Sequence, residues 1–407
     1  MRKKYILVSM IALLCIILLA SCATSEPAMA PMADPPAELL ETQELEELDE
    51  FEEDELGLDE IEEQTEVREG TFMEIQYATG FSVEYIDDLT IVTDAENQQF
   101  LLVPRGQAVP DGFEDMTVIF TPVERALVGS TTHMGMIRPF DVWGQVGGIV
   151  STPGSSEAMD LGVEESGYDI AYVGSWMTPD YELILEINPD VAFVYTGTSP
   201  QTELITMLEE LDIPFAVNNE YMEPTHEGRM EWMLFFAPFF GIDEEVIAFV
   251  EEQFEMLEEL ETLLEGVVDR PRVAWGSYHN GVVWVPGVDS YTANMVRAAG
   301  GEYLFSHIPD TGSAQISVED FYATLVEADY WIYFSNRNFL PDYDALLALA
   351  PIVEDVSVVE NRQVWQLHEG YFYFTDQLAQ QVVDLAIIFH PDLFPDREPF
   401  HYNPLAE

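Results

Sequence analysis

His133 follows Ser130, Thr131 and Thr132, a run of hydroxyls leading into an imidazole. Such a run offers several hydrogen-bonding groups and one nitrogen able to ligate a metal. Arg229 lies in Arg229-Met230-Glu231-Trp232, and Arg337 follows the apolar Tyr330-Trp331-Ile332-Tyr333-Phe334. Either guanidinium can hold a carboxylate or another anionic oxygen. Trp176, Tyr195, Tyr278, Trp284 and Tyr371 stand in or beside short turn-like stretches, where an aromatic face can meet a flat ligand. Each assignment has a plainer rival. His133 also suits a hydrogen-bonding loop position or a satisfied core, and Arg229 also suits pairing with Glu231 or another acid. The seven histidines show no His-x-x-x-His or His-x-His spacing, so a bare zinc or manganese site is not expected. The sequence has no P-loop, no Gly-x-Gly-x-x-Gly after a strand and no Gly-x-Ser-x-Gly. Carboxylate pairs are too common here to single out a hydrolase, so no catalytic residues are expected.

Those residues need a scaffold, and the chain supplies one in stages. Arg2, Lys3 and Lys4 precede an apolar run over residues 5–20 that ends Leu19-Ala20-Ser21-Cys22. The run is too short to span a membrane and reads as a signal peptide over residues 1–21. Its ending resembles a lipoprotein lipobox, which makes Cys22 the expected lipidation site. Cys15 leaves with the signal, so the mature chain has no thiol pair and no disulfide framework. Residues 22–70 read as an acidic tether, self-repelling and solvated, with interleaved Leu and Phe residues that also suit a partner-binding segment. The whole chain carries 77 acidic against 14 basic residues, a formal charge of −63. That balance argues against nucleic acid and anionic lipid headgroups as partners. Lys3 and Lys4 are the only lysines, so the mature chain has none.

From Thr71 the pattern is alternating. Phe72-Met73-Glu74-Ile75-Gln76-Tyr77, Phe81-Ser82-Val83-Glu84-Tyr85 and Leu89-Thr90-Ile91-Val92-Thr93 predict a short β-meander over residues 71–115. Strands and helices then alternate, which predicts an α/β lobe over residues 116–240 and another over residues 269–407. Between them Val246, Phe249, Val250, Phe254, Leu257, Leu260 and Leu264 fall at helical spacing. They predict one long connecting helix within residues 241–268. Glu182 and Glu319 each start a helix, and Asp190 and Asp329 each precede a buried strand, a weak echo between the lobes.

These residues carry a resemblance. Residues 182–194, Ser317-Val318-Glu319, the long helix and His390-Pro391-Asp392-Leu393-Phe394 resemble the substrate-binding lipoproteins of ABC importers for iron–siderophores, haem and cobalamin. Ser130-Thr131-Thr132-His133, the stretch from Glu223-Pro224 to Arg229-Met230-Glu231-Trp232, and the stretch from Trp284-Val285-Pro286-Gly287 to Ser290-Tyr291 are similar to one branch of that family. The resemblance implies two α/β lobes joined by a single long helix, with ligand in the cleft between them. It implies an ABC importer permease as partner, with Glu182 and Glu319 as permease-docking residues. It implies a monomer anchored through lipid on the extracytoplasmic face, with no intrinsic cofactor. The implied ligand is an iron–siderophore, haem or cobalamin, whose iron or cobalt a histidine such as His133 can coordinate, beside its plainer roles. A bare metal ion or another small solute is the alternative ligand. Ligand contacts are expected at Thr131, Thr132, His133, Trp176, Tyr195, Arg229, Tyr278, Trp284, Arg337 and Tyr371, because loops at strand C-termini line such clefts.

Overall fold

A computed structural model describes residues 70–113, 116–279 and 281–407. The signal peptide, Cys22 and the acidic tether lie outside the described residues.

The chain enters through a five-stranded sheet made of β1 (Thr71–Phe72), β2 (Ser82–Ile86), β3 (Leu89–Thr93), β4 (Gln99–Pro104) and β5 (Thr117–Thr121), in that order. The first four pair as an antiparallel meander and β5 joins β4 in parallel. β4 is buried on both faces: Phe100 and Leu102 face the main core, and Leu101 and Val103 pack against Phe113, Met116 and Val118. Two expectations change here. Thr117-Val118-Ile119-Phe120, inside the stretch 116–240 expected to form the lobe, belongs to this sheet. Residues 73–77, read as strand, are not strand. The N–H groups of Gln76, Tyr77 and Ala78 donate to the Glu231 carboxylate at 2.7, 2.7 and 2.6 Å. Those of Thr79 and Gly80 donate to Glu223 at 3.0 and 3.2 Å. The alternation of side chains is real, but carboxylates take the place of a neighbouring strand.

Lobe one holds β6 (Ala126–Val128), β7 (Val146–Ile149), β8 (Ala171–Tyr172), the small hairpin β9 (Gly174–Ser175) and β10 (Thr178–Pro179), then β11 (Val191–Val194) and β12 (Phe215–Val217). Its main sheet is wholly parallel, in the order β12-β11-β6-β7-β8. Helices α1 (Thr131–Ile137), α2 (Glu157–Ser166), α3 (Tyr181–Ile187) and α4 (Ser199–Glu210) make the crossovers. The order reverses between β6 and β11, so the crevice of this sheet opens there, at the strands' C-terminal ends. The outer edge of β12 is closed by the first sheet: the N–H of Ala95 donates to Val217 O at 3.1 Å, and Val217 N–H donates to buried Asp94 at 2.9 Å.

The spine comes next. α5 (His226–Phe240) is buried almost all round, as its run of Met, Trp and Phe demands. Phe193 of β11 meets the rings of Phe236 and Phe239 at 4.9 and 5.1 Å. Gly241, at φ 72°, ends the helix, and α6 (Asp243–Leu264) sets off at once. α6 has 22 residues, about 33 Å at 1.5 Å per residue. It stops four residues short of the expected end, because Gly266 takes φ 85° and leaves Val268 94% exposed.

Lobe two contains β13 (Arg272–Trp275), β14 (Ser277–His279), β15 (Val282–Pro286), α7 (Tyr291–Ala298), β16 (Glu302–Tyr303), β17 (Ser313–Ile316), α8 (Val318–Leu325), β18 (Tyr330–Tyr333), α9 (Tyr343–Leu349), α10 (Ser357–Glu360), β19 (Val364–Leu367), α11 (Leu378–Phe389) and β20 (Tyr402–Pro404). Its sheet runs β16-β13-β18-β19-β20, parallel except for β20, and reverses order between β13 and β18. β14, β15 and β17 form a separate antiparallel sheet. The His390-Pro391 close caps α11 and places His390 Nε2 3.3 Å from Gly300 O.

The echo between the lobes has a structural counterpart. Asp190 takes the N–H of Arg125, just before β6, and its own N–H returns to Arg125 O. Asp329 does the same with Arg272 at the start of β13. In both lobes the aspartate fastens two adjacent strand starts, with an arginine side chain alongside.

Candidate functional site

Lobe one's switch-point helix α1 meets lobe two, where the Thr375 hydroxyl donates to Thr132 O. In lobe one the loop after β6 runs Gly129-Ser130 into α1. The Ser130 side chain caps that helix by accepting from Thr132 N, which leaves Thr131 and Thr132 half-buried at its first turn. His133 points inward. Its ring is 1% exposed and sits edge-on between Tyr195 and Phe236. Nε2 lies 3.2 Å from Asn218 O, while Nδ1 has no partner. Burial holds its pKa below 6.5, opposed in part by Glu220, so the neutral ring is favoured.

Arg229 stands on the spine helix α5, 2% exposed. Its Nε lies 3.3 Å from Glu220 Oε2, and its guanidinium carbon lies 4.3 Å from the centre of the Tyr291 ring. Burial weakens the cation, but Glu220 and the nearby Tyr291 and Tyr371 more than compensate and raise its pKa. A terminal nitrogen of Arg229 donates to Glu220 Oε1 at 3.4 Å, while the Nε–Oε2 approach is close without being aligned. Arg229 Nε and Glu220 Oε2 both lack a hydrogen-bond partner, as does Asn218 Nδ2. Glu231, the acid next in sequence to the arginine, is occupied instead with residues 76–78.

These contacts gather three distant stretches. His133 comes from the hydroxyl run, Arg229 from the spine, and Tyr291 from the turn that Ser290 caps at the start of α7. Tyr371 joins them from lobe two, 3% exposed, with its hydroxyl 3.3 Å from that of Tyr402. Tyr195 stands half-buried after β11, edge-on to Tyr221 at 6.1 Å.

The other expected contacts lie elsewhere. Trp176 is half-buried at the β9–β10 turn, against lobe one's second apolar cluster. Tyr278 packs edge-on against Phe321 and Trp331 inside lobe two. Trp284 is half-buried on β15, and Arg337 is exposed and paired with Glu369. Glu182 and Glu319 are both exposed, each the second residue of its helix, behind the capping residues Asp180 and Ser317. Glu220, Asn218 and Tyr291 were not expected. Their only trace in the sequence was the similarity around Ser290-Tyr291. Among the described residues, no group of three or more His, Cys, Asp or Glu side chains is placed to hold a metal.

Two α/β lobes on one helical spine, in contact at Arg229–Tyr291 and Thr132–Thr375, have the architecture of a two-lobed solute-binding protein. The chain belongs to the periplasmic binding protein family, which it matches over residues 131–371. It is 30% identical over 328 residues to an uncharacterised lipoprotein of Methanocaldococcus jannaschii, covering 76% of each chain. Its fold is similar to the periplasmic haem-binding protein RhuT of Roseiflexus sp. RS-1, with TM-score 0.55 and 18% identity over 67% of this chain and 99% of that one. It is also similar to the molybdate-binding protein MolA of Haemophilus influenzae, with TM-score 0.56 and 17% identity over 75% and 93%. Family and structural neighbours are solute-binding proteins, not enzymes. Among the described residues no helix is long and apolar enough to cross a membrane.

Proposed function

We propose that this protein, anchored through Cys22 on the extracytoplasmic face, captures an iron–siderophore, haem or cobalamin-type ligand between its lobes. It then hands that ligand to the permease of an ABC importer. The observation that carries the reading is the buried polar cluster of His133, Asn218, Glu220 and Arg229 beside lobe one's switch point, which leaves an atom of each side chain without an aligned hydrogen bond. Native interiors rarely leave such groups unsatisfied unless a water or a ligand meets them. Tyr291 and Tyr371 from lobe two and Tyr195 from lobe one add aromatic surface to the same group. A ligand with flat faces and anionic oxygens fits that chemistry.

The test is titration of the mature chain with haem, cobalamin and ferric siderophores, read by tryptophan quenching and by colour. Saturable one-to-one binding of one of them is expected. Binding of molybdate or a bare divalent metal, with no response to any of the three, would transfer the assignment to a small-ion receptor. Delivery is tested separately. Reversing both Glu182 and Glu319 to Lys is expected to abolish uptake in cells and leave binding unchanged, since both side chains are exposed and remote from the buried cluster. Normal uptake by the double variant would refute docking through these residues.

A further inference from the structure

Lobe two reaches into lobe one at a second place, which the ligand reading does not use. Between β19 and α11 the chain runs through residues 370–376 and lies along α1 and α2. Arg138, at the C-terminal end of α1, donates from Nε and from one terminal nitrogen to the two oxygens of Asp376, at 2.8 and 2.6 Å. The same guanidinium lies 5.3 Å from the centre of the Tyr373 ring and 4.9 Å from that of Phe374. Nearer the start of α1, the Thr375 hydroxyl donates to Thr132 O at 2.7 Å. The backbones come too close for side chains. A methyl group at Gly135 would collide with Tyr373 O and Thr375 Oγ1, and one at Gly162 would collide with the Tyr373 hydroxyl. Asp376 is 4% exposed, so its charge is shielded from water and depends on Arg138.

We infer that Arg138 is a positioning residue, holding residues 370–376 of lobe two against α1 and α2 and so setting the spacing of the lobes. The spine helices α5 and α6 hold the lobes together along one side through a shared apolar core. A two-pronged ion pair away from those helices, with its planar fork filled, fixes the spacing at a second place. Tyr371 belongs to the same segment, so its place beside Arg229 depends on the clasp. The inference needs no ligand and stands whichever solute the protein takes.

Lobe spacing is read directly by pulsed electron–electron spin resonance. The full chain, with Cys15→Ser and Cys22→Ser, carries spin labels at Glu186→Cys on α3 and Glu327→Cys after α8, both exposed. A single narrow distance distribution is expected for this parent. Arg138→Gln and Asp376→Asn are each expected to broaden it and move it to longer distance. The exchange Arg138→Asp with Asp376→Arg is expected to restore the narrow form, which a loss of stability alone would not do. Single variants that superimpose on the parent, or an exchange variant as broad as they are, would overturn the inference. If the charge variants do not fold, Thr375→Val deletes one interlobe bond and is read the same way. Broadening supports the clasp and an unchanged distribution refutes it.

Discussion

At the scale of single residues, His133 shows how burial sets a charge state. Its ordinary value is 6.5, and burial depresses it in the folded chain. Unfolding therefore takes up a proton in the interval between the depressed value and 6.5. The stability that this residue supports is full above 6.5 and is lost as the pH falls through that interval. His133→Gln keeps a donor for Asn218 O and removes the titration. The urea midpoint of the wild type is expected to fall between about pH 7.5 and about pH 5.5, with a shallower slope in the variant. Equal slopes would mean that His226, His368 and His390, whose values are also lowered, carry the whole effect. The sequence marked His133 and Arg229 as special and left both with two readings. What sets their neighbours is not local. Arg229 takes Glu220, nine positions upstream, over Glu231 two positions on, because the turn Glu220–Met222 returns that acid beneath the helix.

At the scale of elements, α6 and the parallel strands were legible because periodicity reports burial, and their burial is simple. The segment before β2 was not. Its alternation promised a strand, but the partner is a pair of carboxylates, Glu231 on α5 and Glu223 just ahead of it, and hydrogen bonding to a side chain leaves no periodic trace. Glu231→Ala removes the acceptor of three N–H groups and is expected to cost about 2 kcal/mol or more. Hydrogen exchange at Gln76, Tyr77 and Ala78 is expected to accelerate well ahead of β3 and β4. Glu231→Gln, which retains an acceptor oxygen, is expected to lose less. Unchanged protection in the alanine variant would show that packing alone holds the segment.

At the scale of the whole molecule the charge dominates. With a formal charge of −63, like-charge repulsion opposes every compact state. α6 alone opens with Asp243, Glu244 and Glu245 and has no basic residue in its last turn. Raising NaCl from about 0.1 M to about 1 M shortens the screening length from about 10 Å to about 3 Å. The melting temperature is expected to rise across that range, and a flat or falling profile would show that the carboxylates are already separated enough. The two-lobed plan was legible from the order of elements and from the resemblance. The attachment of β5 to the first sheet was not, since strand pairing across a lobe boundary depends on the path of the chain in space.

The way residues 76–80 are fastened bears on mechanical load. Tension applied to the chain ahead of Gly70 reaches the two-residue pairing of β1 with β2 first. It passes next to five N–H groups gripped by Glu231 and Glu223, and so to α5, the helix both lobes share. A tug from upstream is thus delivered to the axle rather than to either jaw.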